Sequence, residues 1–267
     1  MRHDRERARR LQTGIAVAVL VPALLSTFFP LALMFRLSLA GGGAGPFAHY
    51  AEVWQSGRFG RYLWNSVLVA AVVVAGNLVF AAMAGHALAR GRFPGRGLVF
   101  GAVLATLMIP RQISMIPLYL LVARLGWIDT YAALIVPFLV DAFNVFLLRQ
   151  AFLGVPVELE DAARVDGASD LRIFASISLP LVKPALAVMA INTFLSSWNS
   201  FLYPLVLTNS DEMRTLPVGL ALISQGEHSV DWGHLMAGSS IAALPVILVF
   251  LVFQRQIVRG IMAGAGR

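Results

Sequence analysis

The chain has 267 residues, 58% of them hydrophobic and only 13% charged, with a mean hydropathy of +0.75. A water-soluble domain of this length is not composed this way. The absence of cysteine rules out disulfides, thiolate metal sites and thiol nucleophiles, and the net charge of +7 needs no nucleic acid once the placement of the basic residues is seen.

Six apolar runs reach bilayer-spanning length: Ile15 to Leu39, Leu63 to Ala87, Leu98 to Val122, Tyr131 to Leu148, Ala185 to Leu207 and Leu235 to Phe253. Backbone groups cannot stay unpaired in lipid, so each run is expected to be a helix. The apolar residues run on without alternating, which argues against a transmembrane barrel. The first run carries Pro22 and Pro30 and is too long for the core of a signal peptide. Gly41 to Pro46 then breaks the helix, and Phe47 to Tyr62 reads as a mixed surface segment.

Arginines precede the first run (Arg2, Arg5, Arg7, Arg9, Arg10), separate the second from the third (Arg90, Arg92, Arg96) and follow the sixth (Arg255, Arg259, Arg267). Arg149, Arg164, Arg172 and Lys183 surround the segment between the fourth and fifth. Most basic residues thus share one side, which is expected to be the cytoplasmic side with both termini. Two ionisable residues fall at membrane depth, Arg111 in the third run and Asp141 in the fourth. The short turn between these runs makes them antiparallel neighbours, and a charge at that depth needs a partner. Arg111 and Asp141 are therefore expected to pair; otherwise Arg111 meets the path or a backbone carbonyl and Asp141 faces water.

Between the fourth and fifth runs lies a charged insertion, Glu158-Leu159-Glu160-Asp161-Ala162-Ala163-Arg164-Val165-Asp166-Gly167-Ala168-Ser169, followed by Phe174, Ile177, Leu179 and Pro180. Pro156 suits the first turn of a helix, and Glu158, Glu160 and Asp161 favour its N-terminus. Leu159, Ala162, Ala163 and Asp166 share a face at helical spacing. Gly167 suits a C-terminal cap, and Ser169 can cap a second short helix.

This stretch resembles the coupling loop of ABC-importer permeases, E-A-A-x-x-D-G-A followed by F-x-x-I-x-L-P, with Asp161 where that pattern has Glu. Ile116-Pro117-Leu118-Tyr119, Asp129-Thr130-Tyr131, Ser197-Trp198-Asn199, Thr215-Leu216-Pro217-Val218-Gly219, Asp231-Trp232-Gly233-His234-Leu235-Met236-Ala237 and Gln254-Arg255-Gln256-Ile257-Val258-Arg259-Gly260 are similar to carbohydrate-importer permeases, nearest to the second permease of the maltose-transporter type. The resemblance implies an all-α membrane protein of type I importer fold, one permease domain over residues 1–267 with a coupling loop at 153–183, in a bacterial inner membrane. It implies three kinds of partner besides the bilayer: a homologous permease, two ATPase subunits and an extracytoplasmic solute-binding protein. It assigns Glu158, Asp161, Ala162, Ala163, Asp166, Gly167 and Ala168 to ATPase coupling, the small alanines leaving room for close approach. The cargo it implies is a carbohydrate or related polyol: a di- or oligosaccharide, an amino sugar or a glycerol phosphodiester.

Lys183 is the only lysine and follows no glycine-rich turn, so the chain carries no G-x-x-x-x-G-K-[ST] phosphate loop. No cofactor is expected on this chain; ATP and Mg belong to the partner ATPase. His3, His49, His86, His228 and His234 show no metal-ligand spacing, and no metal site is expected. Polar residues in the apolar runs, Asn77, Gln112, Ser114, Asn144, Asn192, Ser196, Ser197 and Asn199, are candidates for the translocation path. Their other role is helix–helix hydrogen bonding, worth roughly 0.6 kcal/mol each. The alternative class is an ion-coupled secondary transporter, for which Arg111 and Asp141 are the only groups at depth.

Overall fold

The computed structural model describes residues 2–40, 45–55, 58–223 and 231–265, with side-chain surroundings for most positions between 13 and 254. Every regular element among them is helical: α1 Arg2–Ser38, α2 Ala48–Gln55, α3 Phe59–Gly76, α4 Ala82–Arg90, α5 Arg96–Leu107, α6 Met115–Arg124, α7 Tyr131–Ile135, α8 Ala142–Leu153, α9 Val157–Val165, α10 Asp170–Ile173, α11 Leu179–Leu181, α12 Lys183–Trp198, α13 Leu202–Leu207, α14 Leu216–Ile223 and α15 Trp232–Ala265. A π-helical turn, Asn77–Ala81, joins α3 to α4 without a break.

Among the described residues, four helical stretches are long and apolar enough to cross a membrane: Ala16–Ser38, Phe59–Arg90, Tyr131–Leu153 and Trp232–Gln254. The pair Asp170–Leu181 and Lys183–Trp198, bent by 80°, makes a fifth if counted as one span. The expected third run, Leu98 to Val122, is not one helix. It stops at Leu107 and resumes at Met115. Pro110 explains the stop, since it has no N–H to donate to the preceding turn, and the intervening residues form tight turns with Ile113 N–H on Pro110 O and Ser114 N–H on Arg111 O. The expected fourth run is likewise interrupted, by a 3₁₀ turn at Val136–Phe138 containing Pro137, and α8 starts afresh at Ala142. The fifth is broken at residues 199–201. Arg111 and Asp141 therefore sit in breaks, not in continuous helix.

The chain divides into two compact units. One comprises Met1–Ser56 and Leu220–Ala243. In it, α1 runs unbroken through Pro22 and Pro30, and its most apolar window buries none of its residues in the protein. Phe28 and Phe29 stand 62% and 68% exposed. A helix apolar all round and uncovered by its own chain has lipid or another subunit as its surroundings. Its last turn is tied to α2 by Ser38 Oγ and Tyr50 Oη, 2.8 Å apart.

The other unit comprises Gly57–Gly219 and Leu244–Arg267. Its first core lies between α4 and α8: Ala81, Ala82, Leu88, Val145, Leu148 and Phe152 are buried together with Met189 of α12. Gly85 makes that approach possible. A Cβ there would lie 3.0 Å from Arg149 N and from Leu148 Cβ, the small-residue contact that packs helices in membranes. Arg149 turns along the interface, its guanidinium 3.8 Å from the Phe100 ring centre. A second core joins Val69 and Val73 of α3 to Val122, Ala133, Leu134 and Leu207.

The turn after α6 organises the far end of this unit. Asp129, at φ 62°, donates its N–H to Leu207 O and accepts at Oδ1 from Asn209 N and Ser210 N, 2.9 and 3.0 Å away. Burial raises the Asp129 carboxyl, but these hydrogen bonds and the Arg214 charge outweigh it and hold it below the usual carboxylate value. Tyr131 Oη bonds Asn65 Oδ1 at 2.6 Å. The Asp129-Thr130-Tyr131 triplet thus has a structural account: one residue clamps the 208–210 loop and another reaches α3.

Candidate functional site

Two places in the second unit gather the residues singled out in the sequence. The first is a cleft of about 740 Å³, part of it open to solvent, lined by Asn77, Arg111, Asp141, Asn144, Asn192, Ser196, Ser197 and Tyr203 among others. Gln112 and Asn199 do not line it. Asn199 instead follows α12 as its C-cap.

The cleft's charged pair is Arg111 with Asp141, joined through Nη2 and Oδ2. Each partner is held by its break in the helices. Tyr203 Oη donates to Arg111 O at 2.6 Å, fixing the turn that carries the guanidinium. Asp141 is the N-cap of α8: its Oδ1 accepts from Phe143 N at 2.9 Å, so one carboxylate caps a helix and binds a cation.

Asn77 and Asn144 are buried and tie helices together. Asn77 Nδ2 donates to Val73 O and Phe138 O, at 3.0 and 2.9 Å. Its Oδ1 accepts from Asp141 N and from Asn144 Nδ2, both at 2.9 Å. Asn144 Nδ2 also donates to Thr193 Oγ1 of α12 at 2.8 Å. Asn77 also opens the π-helical turn that joins α3 to α4. Thr193 and Tyr203 were not singled out in the sequence, because nothing local marks their partners, 49 and 92 positions away.

The second place is the loop of α9 and α10. Pro156 is the N-cap of α9, one residue earlier than expected. Glu158 lies in the exposed first turn, whereas Glu160 turns inward and is 1% exposed. Its Oε1 accepts from Ser178 Oγ at 2.8 Å and from Arg90 Nε at 3.2 Å. Arg90 also donates to Phe152 O at 2.8 Å and to Val155 O. His86 Nε2 stands 3.7 Å from the same oxygen. Glu160 therefore anchors α9 to the end of α4, a role beyond a charge at a helix N-terminus.

Ala163, one turn on, is buried beside it, while Asp161, Ala162, Val165 and Asp166 are exposed. The shared face expected for Leu159, Ala162, Ala163 and Asp166 is thus split: Ala163 packs inward, and Ala162 alone of the two alanines is offered outward. Gly167 takes φ 82°, and the Gly167 and Ala168 N–H groups close the helix on Arg164 O and Ala163 O. Arg164 spans the turn, 2.7 Å from Asp161 Oδ1 and 3.6 Å from Asp170 Oδ1. Ser169 stands at the start of α10 but its side chain makes no capping bond there.

Comparison with known proteins agrees with this geometry. Residues 77–262 match the family described as binding-protein-dependent transport system inner membrane component. The chain is 43% identical over 210 residues to the arabinooligosaccharides transport system permease protein AraQ of Halalkalibacterium halodurans, covering 79% of this chain and 75% of that one. It is 37% identical over 203 residues to the sn-glycerol-3-phosphate transport system permease protein UgpE of Brucella abortus, covering 76% and 72%. A crystal structure of a bacterial ABC transporter involved in the import of the acidic polysaccharide alginate contains a chain that superposes with a TM-score of 0.85 at 26% identity, covering 93% of this chain and 97% of that one. The chain belongs to the family of binding-protein-dependent transport system inner membrane components: it is a multi-pass permease subunit of an ABC importer and not itself an enzyme.

Proposed function

We propose that this permease imports a carbohydrate or related polyol through the Arg111–Asp141 cleft, driven by an ATPase that docks on α9 and the Gly167 turn. The observation that carries the reading is the two-sidedness of α9. Glu160 and Ala163 fasten it to the permease, and Glu158, Asp161, Ala162 and Asp166 are left exposed for a partner. A lever must be rigidly attached on one side and accessible on the other. The relatives named for arabinooligosaccharides and sn-glycerol-3-phosphate support the cargo class, and hydroxyl-rich cargo suits a cleft of amides, hydroxyls and one ion pair.

The assembly proposed is this chain, a homologous permease, two ATPase subunits and a solute-binding protein, with ATP and Mg bound by the ATPase. Both termini and α9 face the cytoplasm, following the arginine distribution. The helices α5 and α6 together make one interrupted crossing, and α12 with α13 another, giving six. Reconstitution of the complex with its binding protein in vesicles tests the reading. Labelled sugar should enter only with ATP inside the ATPase compartment. Uptake that persists without ATP and collapses with a protonophore would overturn it.

A further inference from the structure

A group of side chains remote in sequence converges in the unit formed by Met1–Ser56 and Leu220–Ala243. His49 and Glu52 stand one turn apart on α2 and so share a face. Gly233, at the start of α15, has no side chain, and a Cβ there would overlap the His49 imidazole. That gap lets His234 reach the same place: the His49 and His234 rings meet edge to face with centres 5.4 Å apart.

Asp231 sets the state of His234. Its Oδ1 accepts the His234 backbone N–H at 3.1 Å and its Oδ2 contacts Nδ1. In the neutral imidazole, Nδ1 then carries the proton and Nε2 presents its lone pair. Yet Nε2 lies 3.0 Å from Glu52 Oε2, an acceptor. His49 Nδ1, buried and without a hydrogen-bond partner among the described residues, lies 3.5 Å from the same oxygen. Three electron-pair donors from His49, Glu52 and His234 fall within 4.8 Å of one another. They repel unless a proton or a cation lies among them.

We propose that His49, Glu52 and His234 form a zinc site, with Asp231 as the positioning residue that orients His234. Zinc takes nitrogen and carboxylate ligands at about 2.0–2.2 Å, which in a tetrahedron places ligand atoms about 3.4 Å apart. The separations of 3.0 and 3.5 Å bracket that value. Glu52 is half exposed, leaving an approach for water as a fourth ligand. Asp231, His234 and the metal reproduce the carboxylate–histidine–zinc relay that raises ligand basicity. Bound zinc would pin α2 to the start of α15.

The test uses the full chain, purified with its partner subunits by a tag free of histidine and equilibrated with buffered zinc alone. The wild type should retain one equivalent of zinc that His234→Ala and His49→Ala do not retain. Glu52→Gln keeps the side-chain shape and should lose most of the affinity. Asp231→Asn should weaken binding roughly 10- to 100-fold. Cobalt(II) on the wild-type complex should give the intense visible absorption of a four-coordinate ion, a readout that needs no variant to fold. Equal zinc in wild type and Glu52→Gln, or no such cobalt spectrum, would overturn the site and leave a proton-bridged histidine–carboxylate network.

Discussion

Glu160 and Arg90 are joined at 3.2 Å between the middle of α9 and the last residue of α4, with side chains only 1% and 13% exposed. The bond links the exposed loop to α4, which shares the buried core with α8. Removing one partner of a buried pair costs about 3–5 kcal/mol, because the other is left without compensation. Glu160→Ala should fall near the lower figure, since Arg90 keeps Phe152 O and Val155 O as acceptors. Glu160→Gln retains an acceptor for Ser178 and Arg90 and should lose about 1 kcal/mol. Denaturant midpoints of the purified complex measure both. Equal midpoints for Glu160→Ala and wild type would remove the anchor from the account.

Gly167 gives a test that separates backbone from bulk. No atom lies within 4 Å of a Cβ built there, yet its φ is 82°, a region that costs an L-residue about 1–2 kcal/mol. Gly167→Ala should therefore be nearly as damaging as Gly167→Leu, while Gly167→Asn, which tolerates left-handed backbone, should keep most function. The measurement is ATPase activity stimulated by loaded binding protein. A graded loss that follows side-chain volume would place the problem at the partner surface instead.

Asp161 is exposed and pairs with Arg164 one turn on, a contact worth about 0.3–0.5 kcal/mol. Folding therefore hardly depends on it. Asp161→Glu should preserve uptake, and Asp161→Lys should abolish most of it with little change in folded yield, because a cation there repels Arg164 and reverses the charge offered to the ATPase. Equal uptake in both variants would show that charge at this position is irrelevant to docking.

The legible parts of the chain were those whose signal is local. Continuous apolar runs such as Phe59–Arg90 reveal themselves because lipid demands an unbroken helix of that length. Gly167 is readable as a helix stop because an amphipathic, alanine-rich turn precedes it. The interruptions at residues 108–114 and 199–201 are hidden because averaged hydropathy runs straight across them. Glu160 reads in the sequence as one of three N-terminal acids, since its burial depends on Arg90, 70 positions earlier. The meeting of His49 with His234 is hidden for the same reason, since the two rings approach each other only in the fold.

The Arg111–Asp141 pair offers the sharpest separation of roles. Arg111 is 61% exposed and Asp141 26%, so the cleft is wet and the pair is screened; a coupling of about 0.2–1 kcal/mol is expected. Asp141 has a second duty as the cap of α8, worth about 1 kcal/mol. Asp141→Asn removes the charge and keeps the cap, whereas Asp141→Ala removes both, so Ala should be the more destabilising by about that amount. A double-mutant cycle of Arg111→Ala with Asp141→Asn then isolates the ion pair from the cap. Thermal unfolding of the purified complex should show the double variant costing less than the sum of the singles. Strict additivity would mean that the two charges act independently, and that Arg111 is held by Tyr203 and its turn alone.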